Sequence, residues 1–454
     1  MATGAAEAWH ALLRTDVELS PAYWEALSAD MRAARLTFGD RLHCPFLRPF
    51  FLGRADVHRV TRVAEAVARV GERVVDAAMD SPALLDDLGL SDAERALAAI
   101  EPGYGTASTA SRLDAFLLPD ALSFAEYNAE SPAGLGYSET LAEIFDALPV
   151  MARFRSAYDA SFFRPSSQML DALLESYRDW GGTADPPTIA IVDWRDVPTW
   201  TEFEILQARF EARGVPTLVC DPRELVFDGT TLAAEGRRID LVYRRVLIND
   251  IVARPDETRA LVDAYRARAA CVANTLRCKI PHKKAFFAVL TDERYQHLFT
   301  IEERAIIASH VPWTRLLRDG RTTAPGGVSI DLVDYVRRLR DDFVIKPNDE
   351  YGGSGVVLGW ECDERAWDEA IARALADTSG VWVAQRKVRV RREVFPLVET
   401  PHRVAMRDML VDLAPYLFRG RVGGFLTRLS ATGLANVTSG GGQVPAFVVE
   451  PKQE

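Results

Sequence analysis

The 454-residue chain has few cysteines: Cys44, Cys220, Cys271, Cys278 and Cys362. They are scattered and odd in number, and none stands in a CxxC or other zinc-ligand spacing, so neither a disulfide framework nor a cysteine-built metal site is expected. Reduced, mostly buried thiols in a cytoplasmic protein are the expectation. Long apolar runs are missing too. Nothing approaches the roughly 18 residues that a membrane-spanning helix needs. Residues 1–20 lack the basic start and apolar core of a signal peptide. There is no excess of positive charge: 54 Lys and Arg stand against 65 Asp and Glu, a formal net charge of −11. Counterion release from nucleic acid needs a basic face, so general nucleic-acid binding is not expected. No internal repeat and no long low-complexity linker interrupts the chain.

What is present is an ordinary globular composition, 48% apolar and 26% charged, in a chain long enough for two or three domains. Its most telling stretch is Phe343 to Leu358, FVIKPNDEYGGSGVVL. The apolar run Phe343-Val344-Ile345 reads as a buried strand that delivers Lys346. Gly352, Gly353, Ser354 and Gly355 follow, then a second apolar run. Glycines let backbone N–H groups wrap phosphate oxygens because no Cβ intervenes, and a lysine adds a point charge. The spacing is neither GxxxxGK[ST] nor GxGxxG, so P-loop and Rossmann sites are not implied. Taken alone, the stretch is equally an ordinary glycine hairpin.

The rest of the chain falls into regions. Residues 1–115 read as helical, with Val60, Val63, Val67, Val70 and Val74 at helical spacing across Arg59 to Met79. The Phe46–Phe51 segment reads as core. Residues 116–275 carry FAEYNAESPAGLGYSETL, in which Glu126, Asn128 and Glu130 alternate and would share one face of a strand. A βαβ pattern follows: Thr188–Val192, a helix marked by Phe203, Leu206 and Phe210, then Pro216–Cys220, with a further strand through Tyr243-Arg244-Arg245. This predicts a parallel sheet. The two arginines would lie on opposite faces, so at most one meets a given ligand. No glycine fingerprint follows the first strand. In residues 276–454, a helix is expected over Asp363–Asp377 with Trp367, Ile371 and Leu375 on one face, a strand over Val381–Val388, and a loop over Asp319–Gly327.

The order of motifs resembles the ATP-grasp superfamily, and within it the circularly permuted ATP-grasp-like proteins related to glutathionylspermidine synthetase. The residues that carry the resemblance are Lys284 in HKKAFFAVL, Lys346 in FVIKP, the YGGSG loop, VAQRKV, and the Glu126–Gly136 segment. Tyr243-Arg244-Arg245, Asp412–Tyr416 and Gly423–Gly442 complete it. It covers roughly residues 120–450. It implies an α/β and α+β chain: an ATP-grasp-like two-lobe nucleotide site in 276–454, a parallel α/β domain before it in 116–275, and a helical N-terminal region in 1–115.

In that frame Lys284, preferred over its neighbour Lys283, and Lys346 neutralise the α- and β-phosphates of ATP. Gly352, Gly353, Ser354 and Gly355 form a lid, and the strand with Gln385, Lys387 and Val388 runs past adenine. Asp412 and Asn436 are the magnesium candidates; the superfamily pattern places an acid two residues before the asparagine, where this chain has Leu434. Arg428 faces the γ-phosphate or the oxyanion, beside backbone donors of Thr438–Gly442. Glu126, Asn128, Glu130 and one of Arg244 or Arg245 would meet the substrates, acids suiting an amine and arginine a carboxylate. The implied reaction is ATP-dependent ligation of a small-molecule carboxylate to an amine (amino acid, peptide or polyamine) through an acylphosphate. The alternatives are an ATP-binding protein of the same fold without ligase activity, and an interaction protein whose glycine loops are structural.

Overall fold

The valine face read over Arg59 to Met79 belongs to a longer helix, Arg54–Met79, in a computed structural model that describes residues 2–16, 21–39, 41–350, 352–378, 380–400, 403–432 and 441–453. All five valines are buried, and each full burial is worth about 1.5–3 kcal/mol relative to exposure. The helix packs on strands Arg403–Phe418 and Arg421–Ser430. Phe46, Phe50 and Phe51 lie in the same core, and Arg48 is buried with them, paired with Glu393 at 2.9 Å. The first 115 residues are therefore mainly helical, but they also hold strand Phe50–Gly53 and the start of strand Ala110–Leu117.

Three sheets position the polar groups, giving a mixed α/β architecture. The first is fully parallel, in the order Cys271–Ala273, Leu241–Arg244, Ile189–Val192, Thr217–Cys220. Helix Trp200–Ala212 makes the crossover between Ile189–Val192 and Thr217–Cys220, and Phe203, Leu206 and Phe210 are buried as the spacing implied. The second is antiparallel, in the order Thr314–Leu316, Trp382–Arg386, Phe343–Pro347, Val357–Leu358. Helix Glu364–Ala376 covers it through Trp367, Ala370, Ile371 and Ala374; Leu375 points away, 37% exposed, because the buried stripe is narrower than the one expected. The stretch expected as a loop at Asp319–Gly327 contains strand Arg321–Thr323, which pairs with Ser329–Asp331 in a hairpin.

The third sheet has six strands and draws on distant parts of the chain. Arg403–Phe418 pairs along one edge with Arg421–Ser430. Its other edge serves two partners, Arg391–Thr400 as far as Val411 and Ala110–Leu117 from Tyr416 onward. Pro415, which has no N–H to give, lies in the interval where the partner changes. There the Asp412 carboxylate substitutes for ladder bonds, accepting the Ala115 N–H at 3.1 Å. Leu122–Asn128 closes the sheet beside Ala110–Leu117. Glu126 and Asn128 share a face, the Asn128 amide donating to Glu126 at 3.2 Å, but Glu130 lies beyond the strand end. The three-residue polar row is thus two residues long. Among the described residues, no helix is long and apolar enough to cross a membrane.

Candidate active site

A cavity of about 820 Å³ opens between the antiparallel sheet and the six-stranded sheet. Its wall includes Glu126, Lys284, Lys346, Gly352, Gly353, Gln385, Lys387, Val388, Asp412 and Arg428. Ten residues singled out from the sequence thus meet around one space. A smaller cavity of about 370 Å³ elsewhere is lined by Asp87, Asp292, Arg294 and Arg315 among others. Its charges are mutually paired, Arg294 with both aspartates at 2.8 Å, which leaves little for a ligand.

Lys346 stands on Phe343–Pro347 and is 9% exposed. Its ammonium donates to the Gln385 side-chain oxygen at 2.7 Å and the Ala125 carbonyl at 3.2 Å. Both partners are neutral, and among the described residues no carboxylate lies within ion-pair distance. Burial lowers its pKa to about 8, with Glu126 opposing and Lys284 adding to the shift. Gln385 is fixed in turn by donating to the Thr314 hydroxyl at 3.2 Å.

Lys284 begins helix Ala285–Thr291 and reaches Glu126 at 3.7 Å and the Glu350 carbonyl. Its rival Lys283 turns inward, 4% exposed, bound to Glu94 and Asp349 at 2.7 Å each. The glycine turn projects from this base. Its root is clamped: the Asn348 side chain accepts the Ala285 N–H at 2.7 Å and donates to the Leu88 carbonyl at 2.9 Å. Its tip is exposed, and Gly352, Gly353 and Gly355 have φ of 67°, 78° and 69°, values that only glycine adopts without strain. A Cβ at Gly355 would also meet Pro347 at 2.6 Å. Ser354 and Gly355 lie on the turn but not on the cavity wall.

Opposite the lysines, Arg428 donates through Nε to Asp412 and through a terminal nitrogen to Asp114, each at 2.6 Å. Asp114 also accepts Arg112 Nε at 2.9 Å. Burial works against the charge on Asp114, but the guanidiniums of Arg112 and Arg428 overcome it and hold the carboxyl well below its usual range. Asp412 goes the other way. Burial pushes it up to about 6 against the pull of Arg428, with Asp114 adding to the rise. Asp114 was missed from the sequence. The alternation of Arg112 and Asp114 in strand Ala110–Leu117 was the available signal, since it puts both on one face. Lys387 rests 4.1 Å over the ring of Trp360, another cavity residue that sequence reasoning passed over.

The structure does not bring the remaining candidates to this cavity. Asn128 is engaged with Glu126. Glu130, 1% exposed, is locked among Arg244, Lys279 and the Ile248 N–H. Arg244 and Arg245 are also interior, at the ends of the parallel sheet. Asn436, Leu434 and Thr438–Gly440 lie outside the described residues. Magnesium prefers hard oxygen donors. Asp114 and Asp412 supply them, though each of their oxygens already accepts a hydrogen bond. Among the described residues no group of three or more His, Cys, Asp or Glu is arranged to hold a metal.

No protein-family model matches the chain. It is 24% identical over 282 residues to a Frankia casuarinae protein whose name places it provisionally among glutamate–cysteine ligases, covering 59% of this chain and 30% of that protein. It is 25% identical over 351 residues to an uncharacterised Mycobacterium leprae protein, covering 72% and 56% respectively. The chain therefore spans only 30% to 56% of the length of these relatives. A glutathione synthetase-like effector of Globodera pallida, solved in its apo form, superposes with a TM-score of 0.59 at 12% identity, covering 96% of this chain and 99% of that one. At that identity the likeness is one of fold.

Proposed function

We propose that this chain is an ATP-dependent ligase that joins the carboxylate of an amino acid or small peptide to an amine. The observation that carries the reading is Lys346: a buried cation at the end of a strand, facing an 820 Å³ cavity with only neutral partners. Keeping such a charge out of water is costly without an anion. A nucleotide triphosphate supplies one. The ligase-type name of the Frankia casuarinae relative and the fold shared with a glutathione synthetase-like protein support the choice among ATP-using activities.

In this reading the site is an ATP-grasp-like cleft. Lys346 and Lys284 take the α- and β-phosphates, and the turn Gly352–Gly355 closes over them from its clamped root. Gln385, Lys387 and Val388 border the adenine. A charge-assisted contact of this kind is worth about 1.5–3 kcal/mol. Asp412 and Asp114 are the carboxylates that would hold magnesium, which would supply neutralisation of phosphate charge. A substrate carboxylate oxygen attacks the γ-phosphorus, and the bond to the β-phosphate oxygen breaks, leaving ADP and an acylphosphate. The amine then attacks the acyl carbon, loses a proton and expels phosphate as the amide forms. No protein nucleophile is needed; positioning and charge do the work. Arg428, held by Asp114 and Asp412, presents its planar fork to the γ-phosphate or the oxyanion. Glu126 is the acid on hand for the amine.

The test is ADP release measured with ATP, magnesium and pairs drawn from amino acids, short peptides and polyamines. Release that requires both an acid and an amine, and that Lys346→Met removes, is the expected result. ATP binding without release for any pair would leave a nucleotide-binding protein and refute the ligase reading.

A further inference from the structure

The parallel sheet carries a second polar cluster that plays no part in the nucleotide reading. From Ile189–Val192 the chain winds outward to Thr217–Cys220; it then returns to the other side, through Leu241–Arg244 to Cys271–Ala273. The winding reverses between Ile189–Val192 and Leu241–Arg244. Loops that leave the carboxyl ends of two such strands diverge, and the crevice between them is where ligands settle in open α/β sheets. Asp193 and Trp194 follow the first of these strands, and Arg245 follows the second.

The adjacent arginines differ sharply. Arg244, fully buried, pairs with Glu130 at 3.3 Å and also bonds the Asn274 carbonyl and Cys278 Sγ. Arg245 is 5% exposed and donates to the Pro132 carbonyl at 2.6 Å and the Tyr243 hydroxyl at 3.1 Å. Its Nε is buried without a hydrogen-bond partner. Among the described residues, no carboxylate lies within ion-pair distance of it. Trp194 Nε1 is likewise buried and unpartnered. Asp193, 7% exposed, accepts the Trp194 N–H at 2.9 Å and, among the described residues, no other hydrogen bond to its carboxylate. Burial pushes its carboxyl up to about 6, with Arg245 pulling the other way. Trp194 packs with Val192, Val242 and Val246, whereas Arg245 lies over the rings of Phe203 and Tyr243 on the other face of the sheet. The cation Arg245 and the carboxylate Asp193, which follow the two strands that flank the reversal, thus keep unmet bonding capacity.

We infer that this crevice binds a free α-amino acid, its carboxylate on Arg245 and its ammonium on Asp193. Binding there stands apart from the ATP reading; only the use of that amino acid as a ligase substrate rests on it. A direct connection exists for such use. The Ser131 hydroxyl donates to the Arg245 carbonyl, and two residues on, the Ala133 carbonyl accepts Arg112 and Tyr416. Arg112 in turn holds Asp114 on the wall of the large cavity.

Calorimetric titration of the protein, without nucleotide, against the twenty amino acids tests the assignment, with propionate, ethylamine and sulfate as single-charge controls. At least one amino acid is expected to bind more tightly than every control. Arg245→Met and Asp193→Asn should each weaken it about 10- to 100-fold. Lys346→Met should leave it unchanged, and Arg245→Met should keep the melting shift given by magnesium-ATP. If Arg245→Met does not fold, Asp193→Asn decides alone. Absence of binding by any amino acid, a control that binds equally well, or binding that survives Asp193→Asn overturns the inference. A wild type that binds an amino acid but not ATP refutes the ligase reading and keeps the crevice.

Discussion

Two groups of buried lysines lie close together in this protein and are treated in opposite ways. Lys279 and Lys283 share the Asp349 carboxylate at 2.7 Å each, and Lys283 also meets Glu94 at 2.7 Å. Burial disfavours the charge on Lys279, but Glu130 and Asp349 more than offset it and raise its pKa above the usual lysine value. Lys346 is equally interior and has a carbonyl and an amide for company. Its pKa falls to about 8. Arg244 and Arg245 repeat the contrast one strand end away. A buried charge with its counter-ion inside the protein is architecture: the Lys279 cluster ties helix Asp92–Ala98, the Glu130 loop and the root of the glycine turn together. On the proposed reading, a buried charge without one is held in readiness for a ligand.

The contrast breaks most visibly at Lys279. Lys279→Met leaves Glu130 and Asp349 short of a partner and should cost about 3–5 kcal/mol of stability, read from denaturant unfolding. A cost below about 1 kcal/mol would show the cluster to be slack. Lys346→Met should do the reverse. It should weaken magnesium-ATP binding about 10- to 100-fold. It should also leave the free protein at least as stable at pH 7, because the folded state disfavours the charged lysine below about pH 8 and the substitution removes that penalty. A less stable variant with intact ATP affinity would make Lys346 structural.

Smaller still is the pH effect. ATP prefers charged Lys346, so affinity should hold below about pH 7 and fall about tenfold between pH 7 and pH 9, as the lysine with a pKa of about 8 loses its proton. In Lys346→Met the fall over that range should vanish. Last, Trp360→Ala removes the surface under Lys387 and should cost only about 0.5–1 kcal/mol of stability, since that contact is at the cavity mouth.

The sequence made the local devices legible. Alternation and helical spacing found strand Phe343–Pro347, the glycine hairpin, the valine face of Arg54–Met79 and the βαβ crossover, because each is decided by residues within a few turns of one another. Ten cavity residues were named from motif order. What stayed hidden depends on packing across the chain. Glu94 meets Lys283 across nearly two hundred residues, and nothing in either segment announces the other. Asp114 was overlooked because its partner Arg428 stands in a strand more than three hundred residues away. Glu130 was assigned to a ligand face because alternation was extended two residues past the strand end at Asn128. Periodicity gives faces; it does not say whether the group opposite is a protein carboxylate or a ligand.

The most direct test of the central claim is calorimetric titration of magnesium-ATP into the protein and into Lys346→Met at pH 7, in two buffers of different ionisation enthalpy. The expected result is saturable binding by the wild type, with fractional proton uptake as the partly deprotonated Lys346 is recharged by phosphate, and neither tight binding nor uptake in the variant. Equal affinity and equal proton exchange in the two proteins would contradict it, and Lys346 would then have no part in holding a nucleotide.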